Sequence, residues 1–268
     1  MSLTFPHQLD RVRDAILAQE AKLTQVAGWY ASAIASGGSI HVYANGHSRI
    51  AVEEMIVRMG ALSGFHPLLA PGLATFDGVI GTRGIRVNQY IEKVEGVGAQ
   101  ILDEYDIGQE DVFVILSATG TTPAAVDFAL EAQRRYPDHP MVVIACEEQA
   151  RTAPPKHSSG KNLWHVIDSA AKAVFIDNAM PYGDLSTEIR GRTGSYLVGP
   201  LSSIGALTIV QSLNELTVRE LDGRGIAHHV LRNMHLENTV DNYDQWLRDQ
   251  RERYALAIHN PDRVRPRG

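Results

Sequence analysis

Apolar side chains between residues 8 and 36 recur at helical spacing, with Leu9, Val12, Ile16, Leu23, Val26, Trp29 and Tyr30 on one stripe. The pattern predicts one long amphipathic helix, closed by the glycines of ASGGSI. The period then changes. IHVYA (40–44), DVFVILS (111–117), MVVIAC (141–146) and KAVFID (172–177) are short runs that are apolar along almost their whole length, and HPLLA (66–70) reads as a further strand. Helical patterns lie between them, in RIAVEEMIVRMGAL and over residues 123–135. Strands that are apolar on both faces and alternate with helices predict a parallel sheet covered on each side, an α/β architecture of three layers.

Beyond the last of these strands, GPLSSIGALTIVQSLNELTVREL (199–221) reads as a largely apolar helix. From Gly223 the chain turns polar and aromatic, which predicts one domain over 1–222 and a C-terminal extension over 223–268, with the final NPDRVRPRG fraying. ARTAPPKHSSGKN (150–162) is a long polar loop of a kind that often carries function.

Two strand-to-helix junctions carry unusual chemistry. In the first, Asn45-Gly46-His47-Ser48 follows a strand; in the second, Ser117-Ala118-Thr119-Gly120-Thr121-Thr122 does, and Pro123 then opens a helix. Ligands of open parallel sheets gather beyond the carboxyl ends of the strands, where helix N-termini offer N–H groups and partial positive charge. Thr122 suits an N-cap and Pro123 the first helical position. Gly120 permits a tight turn, and the hydroxyls of Ser117, Thr119 and Thr122 converge on the same point. That set suits a phosphate; a plain turn with a good N-cap needs only Thr122 and Gly120. No GxxxxGK[ST] loop and no dinucleotide fingerprint occurs.

YANGHSRIAVEE, ILSATGTTP, KHSSGKNLWHVID and DNAMPYGD together resemble the signature segments of the SIS (sugar isomerase) domain family. The resemblance runs from the first helix to about residue 221. It is closest to stand-alone SIS-domain proteins, with phosphoheptose isomerase more distant. It implies a flavodoxin-like sheet and a phosphorylated sugar as ligand. By resemblance Ser48, Ser117, Thr119 and Thr122 hold the phosphate, the backbone of Gly120 and Thr121 assists, and Asn45, beside Gly46, contacts the sugar. Ala44 stands where many relatives have glycine. Because such domains commonly build their sites between subunits, a homodimer or homotetramer is expected.

Aldose–ketose isomerisation needs a base beside a carbonyl and an acid for the oxygens. Glu54 is one candidate, roughly 9 Å along the helix that begins near Ser48; an exposed Glu54–Arg58 pair is its plainer reading. His47 at the helix start, His157 on the polar loop and Asp77 in PGLATFDG are the others. Asp184, closing PYGD, would orient a sugar hydroxyl or cap a turn. A phosphosugar sensor and a lyase or etherase using the same enolate chemistry are the rival functions.

Composition narrows the partners. A net charge of −6, with 44% hydrophobic and 21% charged residues, gives no basic footprint for nucleic acid or an anionic membrane. Cys146 is the single cysteine, which suits a reducing cytoplasm and excludes a disulfide framework. The N-terminus has no apolar signal region. Neither HExxH nor a Cys/His zinc pattern is present, so no metal or cofactor is expected.

Overall fold

A computed structural model describes residues 3–70, 86–236 and 238–259, with side chains up to Arg253. Five strands form one parallel sheet: β1 (Ile40–Ala44), β2 (Phe65–Leu68), β3 (Val112–Leu116), β4 (Met141–Ala145) and β5 (Ala173–Asp177). Their order is β2-β1-β3-β4-β5 with every pair parallel. This is the flavodoxin-like order, whose direction of winding reverses between β1 and β3. The expected α/β architecture is therefore present.

Strand residues alternate between two cores. Val42, Val114, Ile144 and Ile176 face α1 (Phe5–Leu17), α2 (Glu20–Ala35) and a long helix at Ser202–Gly223. Tyr43, Ile115, Val143 and Phe175 face the opposite way, toward α5 (Val97–Asp103), α6 (Pro123–Arg135) and α8 (Leu163–Asp168). Both faces being covered explains why these strands read as continuous apolar runs. Each fully buried aliphatic side chain contributes about 1.5–3 kcal/mol.

The predicted helix over 8–36 is two helices. The interruption falls at Ala18–Gln19, where Gln19 leaves helical geometry and its amide grips β5. Its Nε2 donates to the Asp177 carbonyl at 2.9 Å, and its Oε1 accepts from the Asp177 N–H at 2.8 Å. The helix predicted from Arg49 is also shorter, since α3 spans Arg49–Met55 and Ile56 is already extended. Val57 then takes a positive φ of 50°, and the chain turns toward β2.

Two antiparallel strands, β6 (Leu185–Gly191) and β7 (Gly194–Pro200), form a separate hairpin. The helix predicted from Gly199 begins after this hairpin, as α9 (Ser202–Gly223), because Gly199 and Pro200 pair with β6 instead. The C-terminal extension carries α10 (Tyr243–His259). Trp246 of α10 is buried, and its Nε1 donates to the Ala61 carbonyl at 3.2 Å. Arg253 donates to the carbonyls of Ile34 and Gly38 at 3.0 Å each, tying α10 to the end of α2.

Two short helices complete the elements used below, α4 (Arg86–Ile91) and α7 (Glu147–Thr152). At the amino ends of the strands, the buried His41 and Asp111 and the half-buried His66 form a polar group on the side remote from the hydroxyl-rich loops. His41 Nε2 lies 2.7 Å from Asp111 Oδ2, and the Nδ1 atoms of His41 and His66 lie 3.0 Å apart.

Candidate functional site

A cavity of about 410 Å³ opens above the carboxyl ends of β1 and β3. The winding of the sheet reverses here, so the loops leaving the two strands diverge to opposite faces and leave a cleft between them. Asn45, Gly46, His47 and Ser48 line it from the first junction; Ser117, Thr119 and Thr122 line it from the second. The sequence placed these hydroxyls beside one another, and the sheet order supplies the reason.

The second loop is held from beneath. Gly120 adopts φ +70°, and a Cβ there would lie 2.7 Å from the Ala150 Cβ. Its N–H donates to the Ser117 Oγ at 3.0 Å, and its carbonyl accepts from the Leu163 N–H at 2.9 Å. The Thr119 and Thr121 hydroxyls are 2.9 Å apart. Thr121 is buried and Gly120 packs on α7, so both shape the loop rather than line the cavity. Thr122 stands at the N-cap of α6 with φ −71° and ψ 124°, but its hydroxyl makes no capping bond. Thr122 is among the residues that line the cavity.

The two later motifs brace the same loop. Asn178, in DNAMPYGD, donates from Nδ2 to the Ala118 carbonyl at 2.9 Å. Gly205 of α9 approaches so closely that a Cβ would lie 1.8 Å from the Asn178 carbonyl oxygen. In KHSSGKNLWHVID, Asn162 Nδ2 donates to the Ala153 carbonyl at 2.7 Å, setting the turn into α8. Asp184 lines the cavity at φ +70°, and its carboxylate is already engaged. It accepts from the Leu201 and Ser202 N–H groups at 2.8 and 2.7 Å and from the Ser202 hydroxyl at 2.6 Å. Asp184 therefore caps α9.

The proposed acid–base residues separate. His47 lies at the cavity. Glu54 does not line it: its carboxylate pairs with Arg58 Nε at 2.5 Å and accepts from Gln211 Nε2 at 3.0 Å, beside α9. His157 lies under its own loop, 3.7 Å from Glu95 and 3.8 Å from Asp127. Asp77 lies outside the described residues.

Sequence reasoning missed Glu92, Asn88, Gln89, Ser202 and Ser203, which also line the cavity. Glu92 follows α4, and its backbone carbonyl accepts from the Ala124 N–H at 3.0 Å, fixing it against the first turn of α6. Burial holds its carboxyl above the ordinary glutamate range, partly offset by Lys93 and Lys156. Below lies Tyr43, whose ionisation is suppressed chiefly by burial and further by the charges of Asp127 and Glu92. The Asn45 amide is near enough to Tyr43 to ease that suppression, yet neither of its polar atoms completes a well-formed hydrogen bond. Among the described residues, no cluster of His, Cys, Asp and Glu is arranged to hold a metal ion. None of the described helices is long and apolar enough to cross a membrane.

Comparison with known proteins agrees with the sequence motifs. The family model described as SIS domain matches residues 4–145. The UPF0309 protein of Geobacillus thermodenitrificans is 24% identical over 249 residues, 93% of this chain and 94% of that protein. Phosphoheptose isomerase GmhA from Neisseria gonorrhoeae is similar in structure at a TM-score of 0.47 and 13% identity, covering 80% of this chain and 95% of that one. The Vibrio vulnificus NanR protein complexed with ManNAc-6P aligns at a TM-score of 0.42 and 13% identity, covering 94% of this chain and 68% of the other.

Proposed function

The chain belongs to the SIS domain family, and from that premise we propose that it binds a phosphorylated sugar in the cavity above β1 and β3 and interconverts its aldose and ketose forms. The observation that carries this reading is that four hydroxyl-bearing residues, Ser48, Ser117, Thr119 and Thr122, line one cavity. Hydroxyls and loop amides at a helix start neutralise a phosphate without a lysine. With the phosphate there, the sugar chain extends toward Asn45 and His47. His47 would serve the sugar oxygens, as hydrogen-bond partner or as the acid in ring opening.

One observation favours phosphosugar sensing as the second reading. Glu54 and His157, both candidate proton-transfer groups, lie outside the cavity of a single protomer. A sensor needs the phosphate loop and no base. A homodimer or homotetramer in the cytoplasm remains our expected setting, supported by the exposed Ile189, Tyr196, Leu197 and Val198 of the hairpin.

The test is thermal unfolding with glucose 6-phosphate, arabinose 5-phosphate and their ketose partners, followed by assay of each stabilising sugar for interconversion. Ligand at 100 times its dissociation constant adds about 2.7 kcal/mol. Stabilisation with interconversion supports the isomerase. Stabilisation alone supports the sensor, and stabilisation by none of the sugars refutes both.

A further inference from the structure

We propose that Glu92 is the proton-transferring carboxylate of the site, taking the proton from the sugar carbon beside the carbonyl. This assignment rests on the isomerase reading above.

Four geometric facts lead to it. Glu92 lines the same cavity as Ser48, Ser117, Thr119 and Thr122, so a sugar anchored by its phosphate extends along the wall that contains it. The Ala124 N–H to Glu92 carbonyl bond ties the backbone of Glu92 to the helix whose N-cap is Thr122, so Glu92 and the hydroxyl loop are anchored to the same helix start. The other cavity carboxylate, Asp184, is occupied by three hydrogen bonds from the start of α9. Glu54 is turned away onto Arg58 and Gln211. Partial burial of Glu92 keeps its proton affinity above that of an exposed glutamate, which suits a group that must both accept and return a proton near neutral pH.

The reaction balances without an oxidant or cofactor. Glu92 takes the proton; the C–H electron pair becomes the C=C bond of an enediol, and the carbonyl oxygen takes a proton from solvent. The protonated carboxyl exchanges its proton with solvent while the enediol persists and then delivers a proton to the former carbonyl carbon, while the neighbouring hydroxyl releases its own to solvent and becomes the new carbonyl.

Glu92→Gln keeps the shape and removes the base. Turnover of the sugar that wild type interconverts is expected to fall by about 10²–10⁴-fold, with thermal stabilisation by the same sugar retained. Solvent deuterium should enter the substrate carbon with wild type and not with the variant. Glu92→Asp, which keeps a carboxylate on a shorter arm, should retain part of the activity and move the acidic limb of the pH profile. If Glu92→Gln does not fold, Glu92→Asp decides, since an unchanged rate and pH profile would overturn the assignment. Wild-type exchange together with normal exchange in Glu92→Gln overturns the role of Glu92 and leaves the isomerase reading standing. Absence of both interconversion and exchange in wild type, with every stabilising sugar, removes the isomerase reading and this assignment with it.

Discussion

Gly120→Ala tests whether the hydroxyl loop owes its shape to a glycine. At φ +70° an L-residue is strained by about 1–2 kcal/mol. The added methyl would also lie 2.7 Å from the Ala150 Cβ, and relieving such an overlap costs about 1–3 kcal/mol. Replacing glycine stiffens the unfolded chain and returns about 0.4–1 kcal/mol. The expected loss is therefore about 1–5 kcal/mol, read as a lower midpoint in urea unfolding with an unchanged slope. The two contributions can be separated by a cycle with Ala150→Gly. That second change opens room for the methyl but leaves the backbone strain, so the pair should show a favourable coupling of about 1–3 kcal/mol. Gly46→Ala is the control: its φ is +54°, but nothing lies within 4 Å of the added Cβ, so only strain applies. A Gly120→Ala protein as stable as Gly46→Ala, or a cycle with no coupling, would refute the packing argument.

Two further predictions concern stability. Burial, and then the charge of His41, lowers the His66 pKa from 6.5 to about 3. The unfolded chain therefore binds a proton that the folded chain refuses, and stability present above pH 6.5 is lost as pH falls toward 3, by up to a few kcal/mol. For Asp111, burial pushes the pKa up, but His41 and the N–H groups of Ser39 and Gly108 more than offset it, so its net lowering adds loss in the same direction. Urea unfolding at a series of pH values checks this, and flat stability through that window would contradict it. Trp246→Ala should cost about 3–5 kcal/mol and Trp246→Phe only about 1 kcal/mol, since the second change loses chiefly the bond to Ala61. Equal losses measured by denaturation would show that bulk is not what the core needs there.

The sheet was legible because strands buried on both faces must be apolar throughout, and the four runs that met this condition are β1, β3, β4 and β5, while the less apolar HPLLA overlaps the edge strand β2. The two hydroxyl-bearing junctions were legible as cavity-lining segments for a related reason, since each follows directly on an apolar strand and opens a helix. Glu54 shows where linear reasoning fails. Its distance along the helix was sound, but six residues are about one and two-thirds turns, which directs the carboxylate toward Gln211 instead of the helix start. Glu92 carried no local signal, because its place at the cavity comes from the bond between its carbonyl and Ala124. The β6–β7 hairpin escaped because its alternation is interrupted by polar residues and most of both strands remain exposed. The role of Asn178 was nearer to hand: it lay within a quoted motif, but only the folded chain reveals that it grips the Ala118 carbonyl.

The central claim is that the hydroxyls above β1 and β3 hold the phosphate of a sugar. Calorimetric titration of the stabilising phosphosugar, beside its unphosphorylated parent, into wild type and the Ser48→Ala, Thr119→Val and Thr122→Val proteins tests it most directly. Each substitution removes one hydroxyl from the phosphate, and a hydrogen bond to a charged group contributes about 1.5–3 kcal/mol, so affinity should fall roughly ten- to hundredfold per change. The unphosphorylated sugar should bind weakly to all four proteins alike. Wild-type affinity for the phosphosugar in all three variants, or equal affinity for both sugars in wild type, would contradict the account.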